Sequence, residues 1–271
     1  MDEKLKTRVK ALIGDDAKII EGDFERELYS RDIGEVPFAK RLFHTIPELV
    51  IQPKSVDALK KIVQFANEEK VALFPRGSVS SGLGGVVPTV KGIVLDLAFM
   101  NKIVELNREK ETIKVQTSVR WSEIENFLKT ENLSLRAYPS SFFSTVGGWI
   151  ATGGYGIGSY RFGHLKYQIE SLEIMFPSGE VKTIHSEEEA FARFFGTEGQ
   201  FGLVLTATLK LREKQKKSLP HLVYLESAED AFNFIRSMIK EELKPNHIKY
   251  MDAAHLREVN TFLGEDLFRL K

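Results

Sequence analysis

The chain has 271 residues, with 38 basic against 38 acidic side chains and no cysteine. The balanced charge offers no basic surface for nucleic acid, and the lack of cysteine excludes disulfides, cysteine nucleophiles, iron–sulfur ligation and cysteine-linked cofactors on this chain. An apolar share of 42%, with 19 phenylalanines, is enough for a sizeable core, so one large domain, or one plus part of a second, is expected rather than disorder.

The first residues are charged and amphipathic, with Leu5, Val9, Leu12 and Ile13 at helical spacing. They contain no apolar signal-peptide core, and no run reaches the roughly 20 apolar residues of a transmembrane segment. The expected location is cytoplasmic. Gly22 to Ile46 lacks periodicity and reads as surface-wrapping chain. Leu49–Ile51 reads as a strand closed by Pro53. Ser55 can cap a helix to about Glu69, with Val56, Leu59, Ile62, Val63 and Ala66 as its buried stripe. Val71–Phe74 and Ile93–Leu97 read as strands, which completes a small α/β layer.

A second region follows. Thr112–Val119 alternates as a strand, and Trp121, Ile124 and Leu128 mark a helix. Residues 170–176 and 180–184 form a hairpin about Pro177-Ser178-Gly179. Leu203, Leu205, Ala207, Leu209 and Leu211 face one side of a long strand. Residues 212–217 read as a linker, His221–Leu225 and His247–Met251 as strands, and Phe232, Ile235, Ile239 and Leu243 as a helix between them.

Fourteen of the 20 glycines fall in three short segments, 76–85, 147–163 and 196–202. Glycine weakens regular elements, so its concentration signals a geometric need. Bare backbone can approach a ligand, and successive N–H groups can converge on phosphate oxygens. Turns between strands are the competing explanation. Neither the G-x-x-x-x-G-K-[ST] loop nor a strand-to-helix G-x-G-x-x-G is present.

Three stretches carry a family resemblance. They are Pro75-Arg76-Gly77-Ser78-Val79-Ser80-Ser81-Gly82; Pro139-Ser140-Ser141 followed by Thr145-Val146-Gly147-Gly148-Trp149-Ile150-Ala151-Thr152-Gly153-Gly154; and Gly196-Thr197-Glu198-Gly199-Gln200-Phe201-Gly202-Leu203-Val204. In this order the chain resembles the FAD-binding domain of the vanillyl-alcohol oxidase and p-cresol methylhydroxylase superfamily. Within it, the branch of glycolate oxidase FAD subunits and D-lactate dehydrogenases is the most similar. The resemblance implies an α+β fold of two subdomains, a small α/β unit and a larger mixed sheet, with FAD between them. It implies an N-terminal extension over 1–44, an FAD-binding domain over 45–212, and over 213–271 the truncated start of a substrate-binding cap. The first stretch would cradle the pyrophosphate. The second, with Gly156 and Gly158, would follow the ribityl chain and ring. Glu198, Gly202 and Val204 would complete the site.

Some relatives attach flavin through a histidine in the first loop. Here that loop reads Ser78-Val79-Ser80-Ser81, so FAD is expected to be non-covalent. Ser144 to Trp149 is locally similar to alkyldihydroxyacetonephosphate synthase. Three flavin-dependent functions follow: an oxidoreductase acting on a small-molecule 2-hydroxy acid such as glycolate or D-lactate, a flavin subunit completed by a cap-supplying partner or a homodimer, and a transferase. A non-catalytic interaction module is the fourth. No catalytic base is identifiable and no metal is expected. His164 reads as a surface or second-layer residue, Arg76 as either a phosphate ligand or a salt-bridged loop residue, and Trp149 as either packing or a flavin shield.

Overall fold

The computed structural model describes residues 3–34 and 46–268. Its smaller sheet is built from β1 (Ala17–Ile20), β2 (Leu49–Pro53), β3 (Ala72–Arg76) and β4 (Gly92–Asp96) in the order β1-β2-β4-β3. β1 runs antiparallel to β2, while β2 and β3 run parallel to β4. The apolar run Ile93-Val94-Leu95 makes β4 wholly buried, as expected for an inner parallel strand.

The helix Val56–Glu68 joins β2 to β3 and buries Leu59, Ile62, Val63 and Ala66. The N-terminal helix Glu3–Ile13 adds Val9 and Ile13 to the same core. At the start of Val56–Glu68, Ser55 Oγ accepts from the Ala58 N–H at 3.1 Å. Ser55→Ala is expected to lower unfolding free energy by about 1 kcal/mol, readable as a shifted urea midpoint with an unchanged slope.

The larger sheet contains β5 (Ile103–Asn107), β6 (Thr112–Gln116), β7 (Leu133–Leu135), β8 (Ile169–Met175), β9 (Val181–His185) and β10 (Leu203–Glu213). Its order is β5-β6-β10-β8-β9, with β7 paired to the far end of β10. Its pairings are antiparallel. The two-sheet α+β architecture is therefore the expected one, but it is the smaller sheet that is mixed. The helix Trp121–Leu128 packs Trp121, Ile124 and Leu128 into the core beneath Ile113, Leu172 and Leu209. β10 links the two halves: Leu205 belongs to the small-sheet core, and Leu209 and Leu211 to the large-sheet core.

Two expected strands are not formed. Residues 221–225 and 247–251 have no ladder among the described residues, and Leu222, Val223 and Leu225 are each at least 42% exposed. Apolar composition favours a strand only where a partner edge accepts it. The helix between them is formed, over Ala228–Lys240. β1, β5, β7 and a final helix Ala253–Leu263 were not foreseen. Of the surface-wrapping stretch, 35–45 lie outside the described residues; its described part contains the helix Asp23–Leu28. No helix among the described residues is long and apolar enough to cross a membrane.

Candidate functional site

β3 delivers the chain into the first glycine segment at the edge of an open cleft of about 1050 Å³, solvent mouth included. The loop after β3 forms one wall. The start of the helix Val146–Thr152 forms the second, and the turn leading into β10 the third.

The first wall is rich in unused donors. Among the described residues, none of the seven N–H groups from Gly77 to Leu83 donates to a protein acceptor. Val79 sits at φ +59°, a left-handed conformation that is an outlier for a β-branched residue. Such turns aim successive N–H groups at a common point and suit an anion.

The loop is held by contacts to the second wall and to the N-terminal segment. The Thr145 N–H donates to Ser78 Oγ at 3.2 Å, and the Gly84 N–H donates to Asp32 Oδ2 at 2.6 Å. Arg76 Nη1 donates to the carbonyls of Tyr29 and Arg31 at 3.1 and 3.0 Å, and its guanidinium lies 4.9 Å from the Tyr29 ring centroid. Arg76 has no ion pair among the described residues; through Nη1 it ties the N-terminal segment to the cradle while lining the cleft. Burial lowers its pKa against the field of Asp96. Tyr29 donates to Asp96 Oδ2 at 2.9 Å, and burial, with the Asp96 charge, pushes the phenol up to about 12.

In the second wall, Thr145 Oγ1 accepts from the Gly148 N–H at 3.3 Å and caps the helix Val146–Thr152. Gly147 packs on Thr117, where a Cβ would overlap Thr117 Oγ1. Ser144 Oγ is buried on this wall and has no hydrogen-bond partner. Trp149 lines the cleft yet is only 8% exposed, because its ring meets Trp121 edge-to-face at 5.2 Å. Packing and shielding are thus the same placement for this residue.

In the third wall, Glu198 takes φ +52°, and its N–H donates to the Ala151 carbonyl at 2.9 Å. Loss of solvent raises its carboxyl pKa.

The cleft gathers Pro75, Arg76, Gly77, Ser78, Val79, Ser80, Ser81, Ser141, Thr145, Gly147, Gly148, Ala151, Thr152, Glu198, Gly202 and Val204. Gly82, Pro139, Ser140, Val146, Gly153, Gly154, Gly156 and Gly158 do not line it. Val146 is core. Gly153 packs on Gly196, and Gly156 and Gly158 pack on the backbone of 136–139. Three of the seven glycines in the longest glycine segment thus pack against other stretches of chain. Thr117, Ser118, Ser144 and Thr197 line the cleft without having been singled out as site residues, and Trp149, read as packing or a flavin shield, lines it too. Ser144 and Thr197 directly flank residues that were singled out, which was the available signal; Thr117 and Ser118 carry none. His164 stands outside the lining, with its ring nitrogens accepting from the Gly154 and Lys166 N–H groups at 3.1 Å each. Burial, then Lys166, lowers its pKa.

Arg76 and Glu198 are the charged side chains lining the cleft; the remainder is apolar groups, hydroxyls and backbone. Such a surface suits a ligand with a diphosphate, a polyol and flat rings. The free N–H row can meet the phosphates, and the orphaned Ser144 oxygen can gain a partner. Among the described residues the lining contains no histidine or cysteine. These residues fit FAD.

Comparison with known proteins agrees. The chain is 24% identical over 229 residues to D-lactate dehydrogenase of Anaerostipes hadrus, spanning 82% of this chain and 48% of that protein. It is 26% identical over 228 residues to glycolate oxidase subunit GlcD of Bacillus subtilis, spanning 81% and 48%. It thus spans about half the length of these relatives. A solved structure of alkyldihydroxyacetonephosphate synthase superposes with a TM-score of 0.68 at 25% identity, over 79% of this chain and 41% of that one. Over residues 47–185, just over half its length, the sequence matches the model of the FAD binding domain, and the chain belongs to that family.

Proposed function

We propose that the cleft holds FAD non-covalently and that the chain is the flavin-bearing part of an oxidoreductase acting on a 2-hydroxy acid such as glycolate or D-lactate. The observation that carries the reading is the run of N–H groups from Gly77 to Ser81 on the cleft wall, none of which donates to a protein acceptor among the described residues. Bound FAD would supply the redox chemistry by accepting a hydride from the substrate carbon. The chain's own groups bind and orient it: the N–H row at the pyrophosphate, the Ser144 and Thr145 side of the cleft along the polyol and ring, and the turn from Glu198 to Val204 at the remaining edge. Trp149 closes the cleft wall and excludes water there.

We assign residues 45–212 to this flavin domain, 1–44 to an N-terminal extension, and 213–271 to the beginning of a substrate-side cap. In the last, Phe232, Ile239 and Leu243 are more than half exposed, which suits completion by a cap-bearing partner or a second copy. A cytoplasmic setting goes with this reading.

The purified chain is expected to turn yellow with FAD and to release all of it into the supernatant on acid precipitation. Flavin fluorescence left on the denatured band would overturn non-covalent binding. The likeness to alkyldihydroxyacetonephosphate synthase, together with Trp149 on the cleft wall, favours one second reading, a flavin-dependent transferase. Anaerobic bleaching of the bound flavin by a 2-hydroxy acid separates the two: the oxidoreductase bleaches and the transferase does not.

A further inference from the structure

We propose that Arg161 and Arg212, backed by Arg136, form a subsite for the oxyanion of the substrate, a carboxylate or a phosphate monoester. The proposal rests on the flavin reading of the neighbouring cleft.

Three chain segments meet here: the end of β10, the chain following β7, and the short helix Ser159–Phe162. Two of the arginines are fixed reciprocally across the β7–β10 pair. Arg136 Nε donates to the Leu211 carbonyl at 2.7 Å, and Arg212 Nε donates to the Leu135 carbonyl at 3.1 Å. Each bond occupies one edge of a guanidinium and leaves most of the fork unused. Beyond it, Arg212 donates among the described residues only to Asn246 Oδ1, through Nη2 at 3.5 Å. Arg161 Cζ and Arg212 Cζ both stand over the Phe162 ring, 5.3 and 5.8 Å from its centroid. One aromatic side chain thus engages both cations.

The ordinary explanation for such a cluster is a salt-bridge network. It needs carboxylates, and among the described residues none lies within ion-pair distance of Arg136, Arg161 or Arg212. The carboxylate in the field of Arg212 is Glu125, whose Oε1 already accepts from Ser134 Oγ at 3.1 Å and the Leu135 N–H at 2.8 Å. Burial and the neighbouring Arg161 charge lower the Arg212 pKa, with Glu125 opposing them. Arg161 and Arg212 thus stand beside one committed anion, in a chain of zero net charge, which leaves a local positive excess. Planar forks match carboxylate and phosphate oxygens.

The position suits a substrate. Tyr138 lies in the Arg212 field and pairs through its backbone with Ile157, just ahead of the Arg161 helix. Three residues later the chain reaches Ser141 on the cleft wall, a span of at most about 10 Å. The cluster is thus joined to the cleft wall through a short run of chain.

Calorimetric titration with oxalate and with inorganic phosphate, on the full chain with and without FAD, tests this. The wild type is expected to bind at least one of the two in the millimolar range. Arg161→Gln removes an exposed side chain that makes no hydrogen bond and should weaken that binding by about tenfold or more, with FAD affinity unchanged. Arg212→Lys, which keeps the charge and loses the fork, should weaken it too. Oxalate binding alone identifies a carboxylate substrate, and phosphate binding alone a phosphate monoester. Undiminished binding in Arg161→Gln, or none in the wild type at about 10 mM of either probe, overturns the proposal. FAD titration of the same samples tests the flavin reading separately. Arg161-dependent anion binding in a chain that takes no FAD would keep the subsite and remove the flavin.

Discussion

Replacing Gly148 with valine is expected to weaken FAD binding by about 10- to 100-fold while the protein stays folded. A Cβ at Gly148 would meet one atom within 4 Å, Thr145 Oγ1 at 2.9 Å, a hydroxyl that can rotate away. Gly148 lines the cleft, so the added branches occupy ligand space rather than core. Overfilling a fitted site costs about 1–3 kcal/mol, and each 1.4 kcal/mol is about tenfold in affinity. The fold loses at most the Thr145 cap, about 1 kcal/mol. Quenching of FAD fluorescence on titration gives the affinity and a thermal melt gives the stability. Equal affinity in both proteins would take Gly148 out of the site.

Gly158→Val should do the opposite. Gly158 is buried, has φ +92°, and a Cβ there would overlap the Arg136 carbonyl oxygen. Left-handed backbone strain of about 1–3 kcal/mol adds to overpacking against backbone that cannot rotate away, again about 1–3 kcal/mol. The variant is expected to unfold at much lower urea, while the folded fraction keeps wild-type FAD affinity. An unchanged midpoint with lost FAD would place Gly158 in the site instead.

This contrast marks what the sequence can convey. A cluster of glycines announces that backbone comes close to something; it does not say whether that is a ligand or another stretch of chain. Gly148 and Gly158 are indistinguishable as letters, and only the path of 136–139 separates them. The helix Val56–Glu68 was legible because its apolar stripe and Ser55 cap are local, and β10 because its alternation runs through eleven residues. β1 and β5 are edge strands with little buried face, and β7 has three residues, so none carries an apolar pattern that stands out. Residues 221–225 look like a strand, but pairing is a property of neighbours. On the cleft walls, Thr117 and Ser118 escaped notice because hydroxyl residues are common everywhere. Their position follows from β6 ending at the cleft edge.

The grip of Arg76 on the carbonyls of Tyr29 and Arg31 spans 47 and 45 positions of chain. The first loop therefore cannot take its final shape from local sequence alone. It is completed only when a segment made early in synthesis has folded back across a strand made later. Competence to bind cofactor should thus be a late event in folding, appearing after helical signal has been regained. A chain nicked by protease between Leu28 and Gly34 would keep both sheets and yet hold the cradle loosely. The binding site then acts as a register of whether the amino-terminal strap has closed.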